Sequence, residues 1–183
     1  QEKTGINVVV MGKGGTGYYR EQDNGICYYQ RMENVPSDAD VITIFGSIND
    51  WRYSTLGIEI GTATDTFDDG TLCGYMNKCI DVAIKKAPYS QIALISAPYY
   101  RGLRTDIQEE LCTALQGVAR HRRVKFLDLY HESGFRIDDD TFAQQFTTDY
   151  SPTDETFGHP NNAFHEKFLA PDFMELLKRM LLY

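Results

Sequence analysis

The 183 residues contain no long apolar run: the longest are a few residues, far short of the roughly 20 that a helix needs to cross a bilayer. Positive charge is also scarce. Eighteen Lys and Arg face 26 Asp and Glu, a formal net charge of −8, so nucleic acid and anionic membranes are not the expected partners. Cysteine is limited to Cys27, Cys73, Cys79 and Cys112, widely spread, and Cys73-x5-Cys79 is not a zinc spacing. Buried free thiols are the expectation, with a disulfide open to an exported protein. No basic, apolar leader precedes Thr4, so no signal peptide is read here. Gln1 is not a natural start, and an upstream piece is expected to have been removed. Compartment stays open: extracellular, virion-associated or cytoplasmic. Internal repeats and linker-like composition are absent too, which leaves one domain over residues 1–183.

What is present suits a packed core. The chain is 42% hydrophobic and 13% aromatic, with 12 Tyr and 10 Phe, a composition far from disorder. Four runs read as strands buried on both faces: Ile6–Met11, Asp40–Phe45, Gln91–Ser96 and Val124–Leu129. Helical patterns separate them, at about Gly74–Ala87, Thr105–His121 and Asn161–Leu182. Ile107, Leu111, Leu115 and Val118 make one apolar stripe in the second, with Thr105 as its expected N-cap. Pro171 should split the third into two helical pieces. Strands alternating with helices imply an α/β fold with a central parallel sheet, whose functional groups gather at the strands' carboxyl ends.

The first strand runs into Gly12-Lys-Gly-Gly-Thr-Gly17, which admits three readings. As a dinucleotide fingerprint it lacks the helix that should open within the glycines, because Tyr-Tyr-Arg-Glu-Gln-Asp-Asn-Gly follows. As a phosphate loop it places Tyr18 and Tyr19 where the phosphate-binding Lys and the Mg²⁺-binding Ser or Thr belong. The third reading takes the turn with two later segments. One is Phe45-Gly-Ser-Ile-Asn-Asp-Trp51. The other is Gly158-His-Pro-Asn-Asn-Ala-Phe-His165, in which Pro160 fixes the chain direction and Asn161 can cap the next helix. His159 is thereby held where an imidazole can act as base and then as acid.

Together these segments resemble three of the four conserved blocks of the SGNH/GDSL hydrolases. The resemblance spans essentially the whole chain and implies a three-layer α/β/α, flavodoxin-like fold around a parallel sheet. It also implies ester hydrolysis through a serine acyl-enzyme, without cofactor or metal. Gly15 (backbone N–H) and Asn49 (side-chain N–H) would stabilise the oxyanion, and His159 would be the base. The family's acid lies three residues before the histidine, where this chain has Thr156. Asp154 is the expected replacement, with Glu155 or a backbone carbonyl as alternatives. Ser47 stands where the family has glycine. Tyr18, Tyr19, Trp51, Tyr99 and Tyr100 form an expected sugar-stacking rim, with core as the other reading, and His165 is expected to be structural.

The fourth block, Gly-Asp-Ser, occurs nowhere in these residues. Ser47 occupies the oxyanion turn, and Ser96, Ser133 and Ser151 lack a matching context. The nucleophile is expected upstream of Gln1, either in the same gene or as a separate piece that completes the sheet. The expected substrate is an O-acetylated saccharide or a small acyl ester. A non-catalytic carbohydrate-binding or virion-associated module, and a nucleotide binder built on Gly12–Gly17, are the rival functions.

Overall fold

The structure is a computed structural model that describes residues 6–19, 26–46, 48–153 and 158–181. Three strands, β1 (Val41–Phe45), β2 (Gln91–Ile95) and β3 (Lys125–Leu127), form a parallel sheet in that order. The helices are α1 (Tyr28–Met32), α2 (Leu72–Lys86), α3 (Thr105–Arg122), α4 (Leu129–Glu132), α5 (Asp140–Phe146), α6 (Asn162–Phe164) and α7 (Ala170–Leu181). Short 3₁₀ turns at Ile48–Arg52, Ser54–Leu56 and Phe67–Asp69 fill the β1–α2 connection.

Strand alternation divides the interior in two. Ile42, Ile44, Ile92 and Leu94 pack with Met76, Ile80 and Ala83 of α2 and with Leu115 and Val118 of α3. Ala93 and Ile95, with the opposite side-chain direction, pack with Phe142 of α5, Phe164 of α6 and Leu176 of α7. Helices therefore cover both faces of the sheet, as the alternating pattern requires. β2, paired on both sides, is buried at every position after Gln91. On β1, Thr43 and Phe45 are exposed, although Phe45 still stacks on Phe173 of α7 at 6.1 Å.

Two expectations need correction. Ile6–Met11 joins no strand of the sheet formed by the described residues, and Val8, Val9 and Val10 are 53, 60 and 84% exposed. A β-branched run makes a strand only when a neighbour offers a ladder, and propensity alone does not supply one. Thr105 is the first residue of α3, not its cap; Arg104, with φ −54° and ψ 129°, holds that place. Pro171, as expected, stands at a helix start: it is the second residue of α7, which a distinct turn separates from α6. A π-helical turn at His165–Leu169 precedes α7, and the Ala170 N–H reaches the His165 carbonyl. The wider turn absorbs the misfit of a residue that has no N–H for the carbonyl four positions back.

The ladder continues one residue past the strands. Gly46 N–H donates to the Ile95 carbonyl, and Ser96 N–H donates to that of Leu127 at 3.0 Å. A Cβ on Gly46 would lie 2.7 Å from the Ile95 oxygen and 2.9 Å from Leu115 Cδ2. The backbone oxygen cannot move without breaking the ladder. Gly46→Ala is therefore expected to destabilise the fold by about 1–3 kcal/mol, the usual scale of overpacking, read as a lower urea midpoint with an unchanged m-value.

Candidate functional site

The Asn-Asp pair after β1 acts first as a staple. Asp50, 1% exposed, accepts hydrogen bonds from the backbone N–H groups of Tyr18 (2.9 Å) and Tyr19 (3.4 Å). Asn49 donates from its side-chain nitrogen to the Thr16 carbonyl at 3.1 Å. A Cβ at Gly17 would sit 2.3 Å from an Asp50 carboxylate oxygen, so glycine is what lets the backbone settle on that carboxylate. The glycine-rich turn, with Gly15 at φ 74°, is thus fixed against the end of β1 by the two residues read as a block in the sequence.

The histidine loop is built by a second device. Thr147 and Pro160 form an antiparallel bridge, Thr148 N–H donates to the His159 carbonyl at 2.9 Å, and Asn161 N–H donates to that of Phe146 at 3.0 Å. Asn161 caps α6 by accepting from Phe164 N–H at 3.0 Å, as expected of it. Asp149 closes the loop: one carboxylate oxygen accepts from the N–H groups of Gly158 (3.1 Å) and His159 (3.0 Å). The other pairs with His159 Nδ1. A carboxylate can only accept, so Nδ1 carries the hydrogen and neutral His159 presents Nε2 as the basic nitrogen. The ring of Tyr100 meets the imidazole edge-on at 5.4 Å. Gly158 makes that approach possible, since a Cβ there would fall 2.7 Å from Tyr100 Cδ2.

Asn49 and His159 line one cleft of about 620 Å³, together with Lys13, Thr16, Tyr28, Gly46, Tyr100 and His165. Its floor is apolar, formed in part by Phe45, Leu169 and Phe173. Gly15, between Lys13 and Thr16 in sequence, is not itself among the residues lining it. The volume falls within the usual range for small-molecule sites.

Several expected residues lie elsewhere. Tyr18 is 1% exposed and packs on Tyr28 at 5.0 Å, and Tyr19 is also in the core, so neither belongs to a substrate rim. Trp51, under the Arg52 guanidinium, and Tyr99, beside Tyr130, are not among the residues lining the cleft. Tyr100 and Tyr28 are the tyrosines that do line it. No helix opens at Gly12–Gly17 among the described residues: the chain runs into the core at Tyr18, and α1 starts only at Tyr28. That removes the helix N-terminus on which a nucleotide reading depends. Asp154, Glu155 and Ser47 lie outside the described residues. The nitrogen that an orienting acid would take is already paired with Asp149, a residue that no spacing singled out. Ten positions separate it from His159, and only the antiparallel pairing of the loop brings them together.

Comparison with known proteins bears on the fold. No family model matches the sequence, and no curated protein matches it. Among solved structures, a protein from Lactobacillus plantarum is similar at a TM-score of 0.69 and 21% identity, over 90% of this chain and 77% of its own. A protein described as a GDSL-like lipase, from Bacteroides ovatus, gives 0.58 at 19% identity, over 90% and 68%. Another so described, from Bacteroides uniformis, gives 0.53 at 18%, over 90% and 64%. The chain has an SGNH/GDSL hydrolase-like fold, as the sequence blocks implied.

Burial pushes the Asp149 carboxyl up, but hydrogen bonds from the His159 ring and from the Gly158 and His159 N–H groups outweigh it and hold it below the usual carboxylate value. A depressed folded-state pKa contributes stability that is present above the unfolded value, about 3.9, and is lost as pH falls through the folded one. Wild-type protein should therefore exceed Asp149→Asn in urea midpoint at neutral pH. The gap should close on acidification to about pH 2; a gap independent of pH would assign the effect to packing rather than charge.

Proposed function

We propose that this cleft hydrolyses carboxylic esters by acyl transfer to a serine. His159 serves as general base and then general acid, and Asp149 holds its ring and tautomer. Asn49 and the Gly15 N–H stabilise the oxyanion. The observation that carries the reading is the Asp149–His159 pair at a cleft that Asn49 also lines. Base and orienting acid are the hardest parts of such a site to obtain by chance, because loop pairing, a glycine and a ring contact all converge on one imidazole.

The serine is supplied by a strand that enters beside β1. Two observations support this place. β1 pairs with β2 on one side only among the described strands, and the Val8–Val10 run is exposed although its composition suits a buried strand. A strand seated there would end at the same carboxyl edge as Gly46, next to the cleft. The substrate is an O-acetylated saccharide or a small acyl ester, with Tyr28 and Tyr100 as flat surfaces at the cleft wall.

The test uses the chain together with the residues encoded immediately before Gln1. That longer protein should hydrolyse p-nitrophenyl acetate. His159→Ala should lower kcat by orders of magnitude, Asn49→Ala by roughly a hundredfold or more, and Asp149→Ala by an intermediate factor with KM little changed. The 183-residue chain alone should be inactive. Full activity in His159→Ala, or an upstream sequence with no serine in the corresponding turn, would sink the proposal. The latter result would favour a non-catalytic binding module on the same fold.

A further inference from the structure

A second group of reactive side chains lies apart from the cleft, where α3, the end of β3 and α4 meet. Cys112 Sγ of α3 is 3.5 Å from Asp128 Oδ1 and 4.0 Å from His131 Nδ1, and that nitrogen is 2.8 Å from Asp128 Oδ2. The other ring nitrogen, Nε2, meets Glu109 Oε2 at 3.0 Å, one helical turn before Cys112 on α3. Asp128 caps α4 by accepting from His131 N–H at 3.1 Å, so the carboxylate and the imidazole are fixed relative to each other by three residues of backbone. Ser96, at the end of β2, reaches Asp128 Oδ1 with its hydroxyl at 3.4 Å. None of these residues lines the cleft that holds His159.

We infer that Cys112, Asp128 and His131 bind a zinc-like divalent cation, with solvent in the fourth position. The donor set is one sulfur, one imidazole nitrogen and one carboxylate oxygen, and the three donor atoms lie within 4.8 Å of one another. In a tetrahedral zinc site with bonds of about 2.3 Å to sulfur and 2.0–2.1 Å to nitrogen or oxygen, donor atoms stand roughly 3.3–3.6 Å apart. Asp128 faces the sulfur with one carboxylate oxygen and the imidazole with the other, so rotation of the carboxylate and small side-chain shifts bring one oxygen, the sulfur and the nitrogen around a single cation. The cation takes the place of the Nδ1 proton that now bridges to Asp128, and that proton and the thiol proton both leave to solvent. Nε2–H then donates to Glu109, the carboxylate–histidine arrangement that orients metal-bound imidazoles. Thiolate and imidazole select against Mg²⁺ and Ca²⁺, which prefer oxygen.

A Cys–His nucleophile is the competing reading of the same atoms. It needs the imidazole nitrogen nearest the sulfur to take the thiol proton, but that nitrogen is engaged by Asp128 and stands 4.0 Å away. A metal instead uses all three groups at once and ties α3 to the β3–α4 corner. Sequence spacing hides the site, since its ligands come from two separate elements and Cys112 precedes His131 by 19 positions.

Metal-free protein titrated with Co²⁺ should take up one equivalent. It should develop both a near-ultraviolet thiolate-to-cobalt band and the intense visible absorption of tetrahedral cobalt, and Zn²⁺ should displace the ion and raise Tm. Cys112→Ser should abolish the thiolate band while Cys27→Ser, Cys73→Ser and Cys79→Ser retain it. His131→Ala, at a side chain 47% exposed and so safe for folding, should weaken binding at least tenfold. Glu109→Gln should weaken it by about 10–100-fold with the thiolate band preserved. Absence of the thiolate band at stoichiometric cobalt, its survival in Cys112→Ser, or unchanged affinity in His131→Ala would overturn the inference.

Discussion

Parallel pairing of β1, β2 and β3 is the constraint on which the remaining features hang. Parallel strands need a crossover between each pair, so all three end at one edge, and the register Phe45–Ile95–Leu127 aligns those ends. The next residues, Gly46, Ser96 and Asp128, form a row. From that row start the Asn49–Asp50 turn, the segment to Tyr100, and the Asp128–His131 cap. Two chemically distinct groups, the His159 cleft and the Cys112–Asp128–His131 cluster, depend on the same alignment. A register slip of one residue at β2 would exchange the two cores and displace both groups.

Close approach decides where glycine is needed. Gly46 lets the backbones of β1 and β2 remain hydrogen-bonded beyond the strands, and Gly17 lets a turn rest on the buried Asp50 carboxylate. The carboxylate costs free energy to bury and is offset by two backbone N–H donors that would otherwise be unsatisfied. Asn49 has a double position: its amide ties down the Thr16 carbonyl, and its side chain also lines the cleft. A group held in this way is preorganised, which is what the proposed oxyanion role asks of it.

The histidine loop is organised from outside the strand row. Its antiparallel bridge to residues 147–149 turns Asp149 toward both backbone and ring of His159, so one carboxylate sets the loop's shape and the imidazole's tautomer. Tyr100, from the segment after β2, packs on the ring and joins that loop to the sheet edge.

The sequence by itself determined the elements with local physical causes. β-branched runs at 41–45 and 91–95, the apolar stripe of α3, the Asn161 cap and the order of the glycine turn, Asn-Asp and His-Pro-Asn segments were legible, and with them an SGNH/GDSL-like fold. Tertiary structure decided what depends on a neighbour distant in sequence. Ile6–Met11 has strand composition, but a ladder requires a partner, and β1 is not one. Tyr18 has the makeup of a rim residue, yet the Asp50 staple draws its backbone inward. Asp149, ten positions away, meets His159 because antiparallel pairing sets proximity by register across the loop and not by distance along the chain. The same reason brings Cys112 to His131: a helix and a strand end converge only when packed on one sheet.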